Sequence, residues 1–334
     1  MRVLVTGATG LIGGHLVDLI RERGDSVAAL VRPGESADRL KCAGVEICWG
    51  DLGDRPSLQA AVKGKDWVIN CAARTGGWGA RSEYETANIN GLQTLLEAAL
   101  EAGVRRFVHL SSTTVLGLDR RLVLDETDPL RPLPNLYSWS KIAGERLLEQ
   151  SIRERGAPVT VVRPGWTFGP RDKASFARFA AKIEQGKMVI TGSGHNHVPL
   201  IYVRDVAEGI LLASAAPQAA GRTYILTHHE PVTQIQFLEA IARELGVPAP
   251  HRRIPYRAAY LLGGIAEGLG RLTARQPLLT RYGVLVLGGE SSFSSQRARD
   301  ELGFTAKVSL AEGVHRSVAW FRDEYGPSHE RRQP

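Results

Sequence analysis

Short apolar runs alternate with amphipathic stretches through the first 165 residues of this 334-residue chain. The apolar runs predict six buried strands, at residues 2–6, 26–31, 45–49, 67–71, 106–110 and 159–163. The intervening stretches carry apolar residues at helical spacing, most clearly at 82–102 and 137–154. Strands rich in β-branched residues that alternate with helices indicate a parallel sheet covered on both faces. With right-handed crossovers, the chain is predicted to form a doubly wound α/β sheet.

A glycine-rich turn connects the first predicted strand to the helix that begins at Leu11. Glycines permit a tight turn and let the backbone approach a pyrophosphate closely, while the helix N-terminus supplies unpaired N–H groups. Because the turn follows the first strand of the alternating pattern, a dinucleotide site is favoured over a plain strand-to-helix turn. The spacing is GxxGxxG rather than GxGxxG. The residues predicted to hold the cofactor here are Gly7, Thr9, Gly10, Leu11, Ile12 and Gly13.

The end of the second strand indicates which dinucleotide binds. Enzymes that use NAD usually place an acidic residue there to bind the ribose 2′-hydroxyl, whereas this chain has Arg32. A guanidinium can pair with the 2′-phosphate of NADP, although a solvent-facing arginine is the alternative. The sequence therefore favours NADP(H) and leaves NAD(H) open. Asp51, after the third strand, is predicted either to accept from the adenine amino group or to cap the next helix.

A tyrosine and a lysine follow Pro134 at positions i and i+4 of a predicted helix. Tyr137 and Lys141 therefore share one helix face, where the ammonium is predicted to lower the pKa of the phenol and poise it for proton exchange with a carbinol. The lysine can also reach the ribose hydroxyls of the cofactor. Hydroxyl residues at 111–113 follow the fifth strand, at the carboxyl edge of the sheet where ligands bind. This order of motifs predicts a hydride-transferring enzyme with Tyr137 as general acid and base.

Taken together, these motifs resemble the extended short-chain dehydrogenase/reductase family, which includes NAD-dependent epimerases and dehydratases. The resemblance covers nearly the whole chain and is carried by residues 6–13, 51–52, 88–91, 111–112 with Gly117, 137–141 and 163–170. It implies a catalytic set of Ser112, Tyr137, Lys141 and Asn88, although the hydroxyls of Ser111 and Thr113 lie close to Ser112 in the sequence. It implies further cofactor contacts at Leu52, Ala72, Ala73 and Pro164.

Beyond residue 165 the pattern loosens into short strands and helices with proline and glycine breaks. A predicted strand at 222–227 returns to the main sheet. We therefore assign residues 1–165 to a dinucleotide-binding Rossmann domain, to which 186–227 contributes. Residues 166–185 and 228–330 are assigned to a smaller, mostly helical C-terminal lobe that binds the substrate.

The substrate is the least constrained prediction. Within the family, the chain resembles the bacterial 3β-hydroxysteroid dehydrogenase/isomerase-like branch, which implies a bulky, apolar secondary alcohol or ketone. Residues 254–287 are rich in apolar residues and fit either an apolar substrate wall or plain core packing, and the sequence alone does not support a membrane-surface role for them.

Two other functions remain open at this point. A nucleotide-sugar epimerase or dehydratase would use the same Ser-Tyr-Lys set, and Arg252, Arg253 and Arg297 could hold its diphosphate. A cofactor-sensing binding protein would be expected to lose the tyrosine or the lysine, so the intact set argues against it.

The charge and the cysteine content indicate which partners the protein has and in which cell compartment it works. The net charge is +7, but the basic residues are scattered among acids, which argues against a nucleic-acid partner and suits an anionic cofactor. Three cysteines without metal-ligand spacing predict neither disulfides nor a metal site, and they favour a cytoplasmic protein. No apolar run has the length of a membrane span. Family members often pair the helices that match 82–102 and 137–154 across a two-fold axis, so a homodimer is implied.

Overall fold

The computed structural model describes residues 1–118, 123–273, 275–277 and 279–326. The end of the predicted substrate lobe, 327–330, lies outside the described residues. The strands are β1 (Arg2–Thr6), β2 (Ser26–Val31), β3 (Glu46–Trp49), β4 (Trp67–Asn70), β5 (Arg106–Leu110), β6 (Val159–Pro164), β7 (Trp166–Phe168), β8 (Ile190–Thr191), β9 (His197–Val198), β10 (Leu200–Tyr202), β11 (Thr223–Leu226), β12 (Val232–Thr233) and β13 (Arg253–Ile254).

The α-helices are α1 (Leu11–Glu22), α2 (Asp38–Cys42), α3 (Arg55–Val62), α4 (Arg81–Tyr84), α5 (Gly91–Glu101), α6 (Leu136–Arg155), α7 (Phe176–Glu184), α8 (Val203–Ala215), α9 (Gln234–Leu245), α10 (Tyr256–Thr273), α11 (Arg281–Gly288), α12 (Gln296–Leu302) and α13 (Leu310–Tyr325). Two 3-10 helices, Thr113–Leu116 and Pro217–Ala219, and one π-helix, Glu85–Asn90, complete the helical segments of the described residues.

Seven strands form one parallel sheet in the order β11-β6-β5-β4-β1-β2-β3. The six predicted strands lie in it within a residue or so of their predicted ends, and the predicted strand at 222–227 joins β6 as β11. The order reverses between β1 and β4, and in sheets of this kind ligands bind at the carboxyl ends of the strands at such a reversal. The predicted doubly wound α/β fold is confirmed.

Alternate residues of each strand enter two separate cores, one on each face of the sheet. Val3 and Val5 pack with α1 and α8, whereas Leu4 between them packs with α3 and α5. The same alternation holds along β2. Because both faces are buried, each strand reads as a continuous apolar run, which is why the strands could be recognised from sequence.

The helix predicted at 82–102 differs from the observed structure. The chain forms α4, then the π-helix Glu85–Asn90, then α5. Within the π-helix, Asn88 is buried and bonds to the backbone of Arg74. A widened turn of this kind depends on contacts with distant segments, so a helical pattern in the sequence does not reveal it.

The second part of the chain forms an aromatic core beside the sheet. Phe168 and Phe237 pack edge to face, with ring centroids 5.4 Å apart, and Phe176 and Trp166 pack against the same ring. The chain also returns to the sheet after this lobe, because residues 298–306 contribute Ala298, Phe304 and Ala306 to the core that covers α8. The lobe thus stays in close contact with the carboxyl edge of the sheet.

Within the described residues, every helix is too short or too polar to cross a lipid bilayer.

Candidate active site

The predicted site residues converge on the carboxyl edge of the sheet, where each follows or ends a different strand. The glycine turn follows β1, Arg32 follows β2 and Asp51 lies just beyond β3. Ala72 and Ala73 follow β4, Ser112 follows β5 and Pro164 ends β6. The parallel topology therefore brings together residues that are scattered over the first half of the chain.

The glycine turn packs so tightly that side chains are excluded at two positions. Gly7 has φ +66°, and a Cβ there would lie 2.7 Å from the backbone nitrogen of Ala72. A Cβ on Gly13 would overlap the carbonyl oxygen of Gly7. Gly10 precedes α1 and caps it with no side chain, so the first N–H groups of the helix face outward unpaired. This cradle of backbone N–H groups fits the pyrophosphate of a dinucleotide.

Arg32 has an acidic neighbour that the sequence reading missed. Its guanidinium forms an ion pair with Glu35, and its Nε lies 2.9 Å from the Glu35 carboxylate. Thr9 donates a hydrogen bond to the same carboxylate at 3.3 Å. Glu35 therefore links the glycine turn to Arg32 at the place where an adenosine ribose would be held. In the sequence, the ion pair could have been inferred from the separation of three residues between Arg32 and Glu35.

Asp51 and Leu52 lie just beyond the end of β3, and they differ in exposure and in contacts. The Asp51 carboxylate is exposed and accepts a hydrogen bond from the backbone nitrogen of Gly53 at 2.8 Å, so it does not cap α3, which begins at Arg55. The helix-capping alternative for Asp51 is wrong. Leu52 is buried, and a Cβ on Gly91 would lie 2.7 Å from its Cβ. Leu52 thus packs the start of α5 against the sheet.

The serine that follows β5 pairs with the predicted tyrosine. Ser112 lies close enough to the Tyr137 phenol to lower its pKa, and the Ser112 hydroxyl accepts a hydrogen bond from Thr114 Oγ1 at 3.0 Å. Ser111, by contrast, donates its hydroxyl hydrogen bond to the buried carboxylate of Glu145. The contacts therefore favour Ser112 over Ser111 as the serine that works with Tyr137.

We call residues 111–116, which follow β5, the serine segment. The N-terminal turn of α6 is hydrogen-bonded to this segment. Asn135 caps the helix by accepting from the backbone nitrogen of Ser138 at 2.8 Å. The buried Ser138 hydroxyl donates to the carbonyl of Thr114 at 2.9 Å and accepts from the backbone nitrogen of Leu133 at 3.0 Å. These bonds hold Tyr137 at a fixed distance from Ser112.

Tyr137 is protonated at neutral pH. Burial raises the pKa of Tyr137 to about 12, and the hydrogen bond with Ser112 acts in the opposite direction. The sequence predicts instead that Lys141 lowers this pKa. The structure differs because the Lys141 ammonium lies 6.0 Å from the centre of the phenol ring and is bonded elsewhere. A neutral phenol at this position can donate a proton to an oxygen beside it.

Lys141 is buried beneath the phenol and donates to the carbonyl of Leu110 at 2.6 Å. Burial lowers the pKa of Lys141 to about 8, against the smaller opposing effects of Cys71 and Glu145. The buried His109 lies next to it, and burial, with a further contribution from Lys141, holds the pKa of His109 well below 6.5. Burial thus makes the positive charge of Lys141 easier to lose than that of an exposed lysine.

Asn88 makes only supporting contacts among the described residues. Its side chain accepts from the backbone nitrogen of Arg74 at 2.7 Å and donates to the Arg74 carbonyl at 3.0 Å. It also donates to the Ser140 hydroxyl at 2.8 Å. Asn88 therefore ties the segment after β4 to the helix that carries Tyr137.

A buried ion pair lies one helical turn beyond Lys141. Glu145 on α6 and Arg163 on β6 form a two-pronged pair with N–O distances of 2.6 and 2.9 Å, and both side chains are 6% exposed. Since Ser111 bonds to the same carboxylate, the pair joins α6, β6 and the serine segment. The sequence reading missed it, although Tyr137, Lys141 and Glu145 share one spacing of four residues.

Aromatic side chains from the C-terminal lobe close one side of the site. The ring of Tyr282, on α11, packs edge to face against Tyr137 with centroids 6.3 Å apart. Gly77 lies directly against Tyr282, since a Cβ there would be 2.7 Å from the Tyr282 Cβ. The neighbouring Trp78 ring packs on α10 at Gly270. Tyr137 therefore faces a largely apolar wall.

The arginines proposed for a nucleotide-sugar diphosphate lie on different elements. Arg297, on α12, donates to the carbonyl of Thr223 at 3.3 Å, and its Nε lies 3.8 Å from the Glu126 carboxylate. Arg253 is exposed in the short strand β13, which pairs with β8, and Arg252 precedes it. Arg297 is thus engaged with β11 and Glu126.

The sequence pattern of the NAD dependent epimerase/dehydratase family matches residues 3–226. The chain is 33% identical to a 4-hydroxy-2-methyl-3-oxo-4-farnesyl-3,4-dihydroquinoline-1-oxide ketoreductase of Stigmatella aurantiaca, with 94% of this chain and 95% of that protein covered. It is 30% identical to a 2-alkyl-3-oxoalkanoate reductase of Stenotrophomonas maltophilia, covering 96% and 99%. It is 29% identical to the decarboxylating sterol-4-alpha-carboxylate 3-dehydrogenase of Mus musculus, covering 95% and 90%.

Solved structures show the same architecture over nearly the whole chain. The crystal structure of gox2253 has a TM-score of 0.83 and 30% identity, with 97% of this chain and 98% of that chain covered. The UDP-glucose 4-epimerase of Thermus thermophilus, solved in complex with NAD, has a TM-score of 0.78 and 26% identity, with 96% and 99% covered.

Proposed function

Because the chain belongs to the NAD dependent epimerase/dehydratase family, we propose that it interconverts a ketone and a secondary alcohol with a nicotinamide dinucleotide. Membership confirms the resemblance to extended short-chain dehydrogenase/reductases and the prediction of an enzyme of that type. The observation that carries the proposal is the proximity of Ser112 to a protonated Tyr137, whose ring centre lies 6.0 Å from the buried ammonium of Lys141. That pair stands at the same sheet edge as the glycine cradle.

Cofactor binding, orientation of the carbonyl and proton donation would fall to different residues. The backbone of the glycine turn would hold the pyrophosphate, with Arg32, Asp51, Ala72, Ala73 and Pro164 along the rest of the dinucleotide. A bound reduced nicotinamide supplies a hydride to the carbonyl carbon of the substrate. Ser112 orients the carbonyl oxygen, and Tyr137 donates its phenolic proton to that oxygen as the alcohol forms. In oxidation, the phenolate takes the proton back. Lys141 stabilises the phenolate through its positive charge.

We propose a bulky, apolar, hydroxysteroid-like substrate. The Tyr282 ring covers one side of Tyr137, and the Trp78 ring packs on α10 at Gly270. The named relatives act on molecules that carry a ketone or hydroxyl together with a farnesyl, alkyl or sterol group. Residues 166–185 and 228–330 would bind this substrate, while 1–165 and 186–227 would hold the cofactor.

Purified protein tested against a substrate panel would decide the reaction. NADPH consumption with 2-alkyl-3-oxoalkanoates or oxosteroids, followed at the nicotinamide absorbance, is the expected result. Conversion of UDP-glucose with no net change in that absorbance would instead establish the epimerase alternative, which the fold shared with a UDP-glucose 4-epimerase keeps in view. The bonds that Arg297 already makes to Thr223 and Glu126 weigh against its use in holding a diphosphate.

We propose NADP(H) as the preferred cofactor, with NAD(H) as the alternative. Replacing Arg32 by Ala should lower the ratio of kcat/KM for NADPH to that for NADH by about 10- to 100-fold, since charge-assisted hydrogen bonds of about 1.5–3 kcal/mol are lost. Glu35→Gln is the matched variant and should raise the ratio, because it removes the carboxylate that competes for Arg32. An unchanged ratio in Arg32→Ala would overturn the assignment.

The pH dependence of catalysis is expected to follow Lys141. Burial lowers the pKa of Lys141 to about 8, so its ammonium is present below that pH and is lost above it. The value of kcat/KM for the dinucleotide, which reports groups of the free enzyme, should therefore be level below about pH 8 and fall towards tenfold per pH unit above it. Lys141→Arg, which keeps its charge, should move the fall to higher pH. A level profile up to pH 10 in the wild type would contradict this role.

A homodimer through the helices within 82–102 and 137–154 remains our proposal for the assembly. It rests on the analogy with family members, and it leaves the faces of α10 and α11 outside the interface.

A further inference from the structure

Helix α10 is oriented with its leucines outward and its small residues inward. Its buried residues are Ala259, Gly263, Glu267 and Gly270. Its exposed large apolar residues form what we call the leucine stripe, with exposed fractions of 66% for Leu261, 47% for Leu262, 53% for Ile265, 58% for Leu269 and 85% for Leu272. A helix on the surface of a soluble protein normally has the reverse orientation.

The stripe is one continuous surface. Leu261, Ile265, Leu269 and Leu272 are separated by four, four and three residues, so they project from one face of the helix. Single exposed apolar side chains are common, but adjoining ones on one face mark a surface that binds something.

The charges around the stripe identify what would bind. Residues 251–289 contain six arginines and one acidic residue, Glu267. Glu267 is buried and pairs with Arg281 at 2.9 Å. Of the ion pairs formed among the described residues, none involves the remaining arginines, which are Arg252, Arg253, Arg257, Arg271 and Arg275. Arg257 and Arg271 are exposed on α10 itself, so unpaired positive charge adjoins the stripe.

We propose that the leucine stripe docks on a phospholipid surface that carries anionic headgroups. Apolar side chains would enter the boundary of the acyl chains, and the arginines would pair with phosphate groups at the surface. A second copy of the chain fits less well, because two stripes facing each other would bring the same positive charges together.

The docking face is close to the active site. Gly263 allows α10 to approach α11 closely, since a Cβ there would lie 2.9 Å from the backbone nitrogen of Arg281. The next residue on α11, Tyr282, packs against Tyr137. An apolar substrate dissolved in the lipid would then reach Tyr137 across the α10–α11 pair. This last consequence rests on the proposed function, whereas the docking itself does not.

The test is sedimentation of the full chain with vesicles of phosphatidylcholine alone, or of phosphatidylcholine and phosphatidylglycerol at about three to one. The wild type is expected to bind the anionic vesicles, more weakly in 0.5 M salt (roughly a 4 Å Debye length) and weakly to neutral vesicles. Ile265→Glu with Leu269→Glu should lower partitioning at least tenfold. The matched control is Trp49→Glu with Val123→Glu, which adds the same charge at exposed apolar positions elsewhere and should bind as the wild type does.

Three results would overturn the proposal. One is absence of wild-type binding to anionic vesicles, and another is equal loss of binding in the stripe and control variants. The third is a light-scattering mass that falls from a larger assembly to a smaller one in the stripe variant, which would make the stripe a protein interface. Because binding is measured without substrate, failure of the proposed reaction would not affect the outcome. The stripe variant should unfold at the same temperature as the control variant, so that lost binding cannot be attributed to misfolding.

Discussion

Replacing Tyr137 by Phe is expected to lower kcat for ketone reduction by about 10²- to 10⁴-fold, the usual contribution of a positioned general acid. The phenol is the proton donor in the proposed reaction, and its pKa of about 12 keeps it protonated at neutral pH. The ring would remain packed against Tyr282, so the variant should fold and bind the dinucleotide as the wild type does. Initial rates at the nicotinamide absorbance and a fluorescence titration with NADPH measure the two quantities separately.

Tyr282→Phe is the matched control for that experiment. It removes a second phenolic hydroxyl from the same wall of the site while leaving the ring in place. Its kcat should change by no more than a few fold, because Tyr282 lacks the contact with Ser112 that Tyr137 makes. Full turnover in Tyr137→Phe, or an equal loss in both variants, would show that Tyr137 is not the proton donor.

Replacing Glu145 by Met is expected to lower the free energy of unfolding by about 3–5 kcal/mol, because Arg163 would remain buried without a partner. Arg163→Met should cost a similar amount for the converse reason. The double variant should cost much less than the sum of the two, since no uncompensated charge is left in the core. Urea unfolding of the four proteins gives the coupling energy directly.

Additive costs in the double variant would mean that Glu145 and Arg163 do not act as a pair. Ser111→Ala provides a smaller reference, because it removes only the hydroxyl that bonds to Glu145. A hydrogen bond from a hydroxyl to a charged carboxylate contributes about 1.5–3 kcal/mol. The ranking of the three single variants therefore tests whether charge burial, rather than loss of any polar contact, controls the stability of this region.

The sheet could be predicted from sequence because its determinants are local. Val3, Leu4 and Val5 are all apolar since the strand is buried on both faces, and the turn at Gly7 marks its end. Glycine at 7 and 13 is required by backbone approach, so the cofactor cradle was also visible in the sequence. The prediction of Ser112 over its neighbours needed the family resemblance, and the contacts of Ser111 with Glu145 supply a physical reason for it.

The parts that were not predicted depend on contacts between distant segments. Tyr282 meets Tyr137 only because α11 folds over the site, and no spacing in the sequence relates the two. The pKa of Tyr137 was predicted in the wrong direction because burial outweighs a lysine whose ammonium is bonded to Leu110. The π-helix around Asn88 likewise depends on the backbone of Arg74, which the local sequence does not encode.

β11 is the last strand of the seven-stranded sheet in sequence order, and this limits where the chain can be cut into parts that fold separately. The seventh strand joins β6 only after the chain has left the sheet and come back, and residues 298–306 return to the sheet once more. A fragment that stopped at residue 165 would leave β6 as an open edge and uncover the core beneath α8. Exchange of substrate lobes between relatives by a single recombination event is therefore disfavoured. New specificities in this architecture are more accessible through substitutions inside the lobe than through replacement of the lobe as a block.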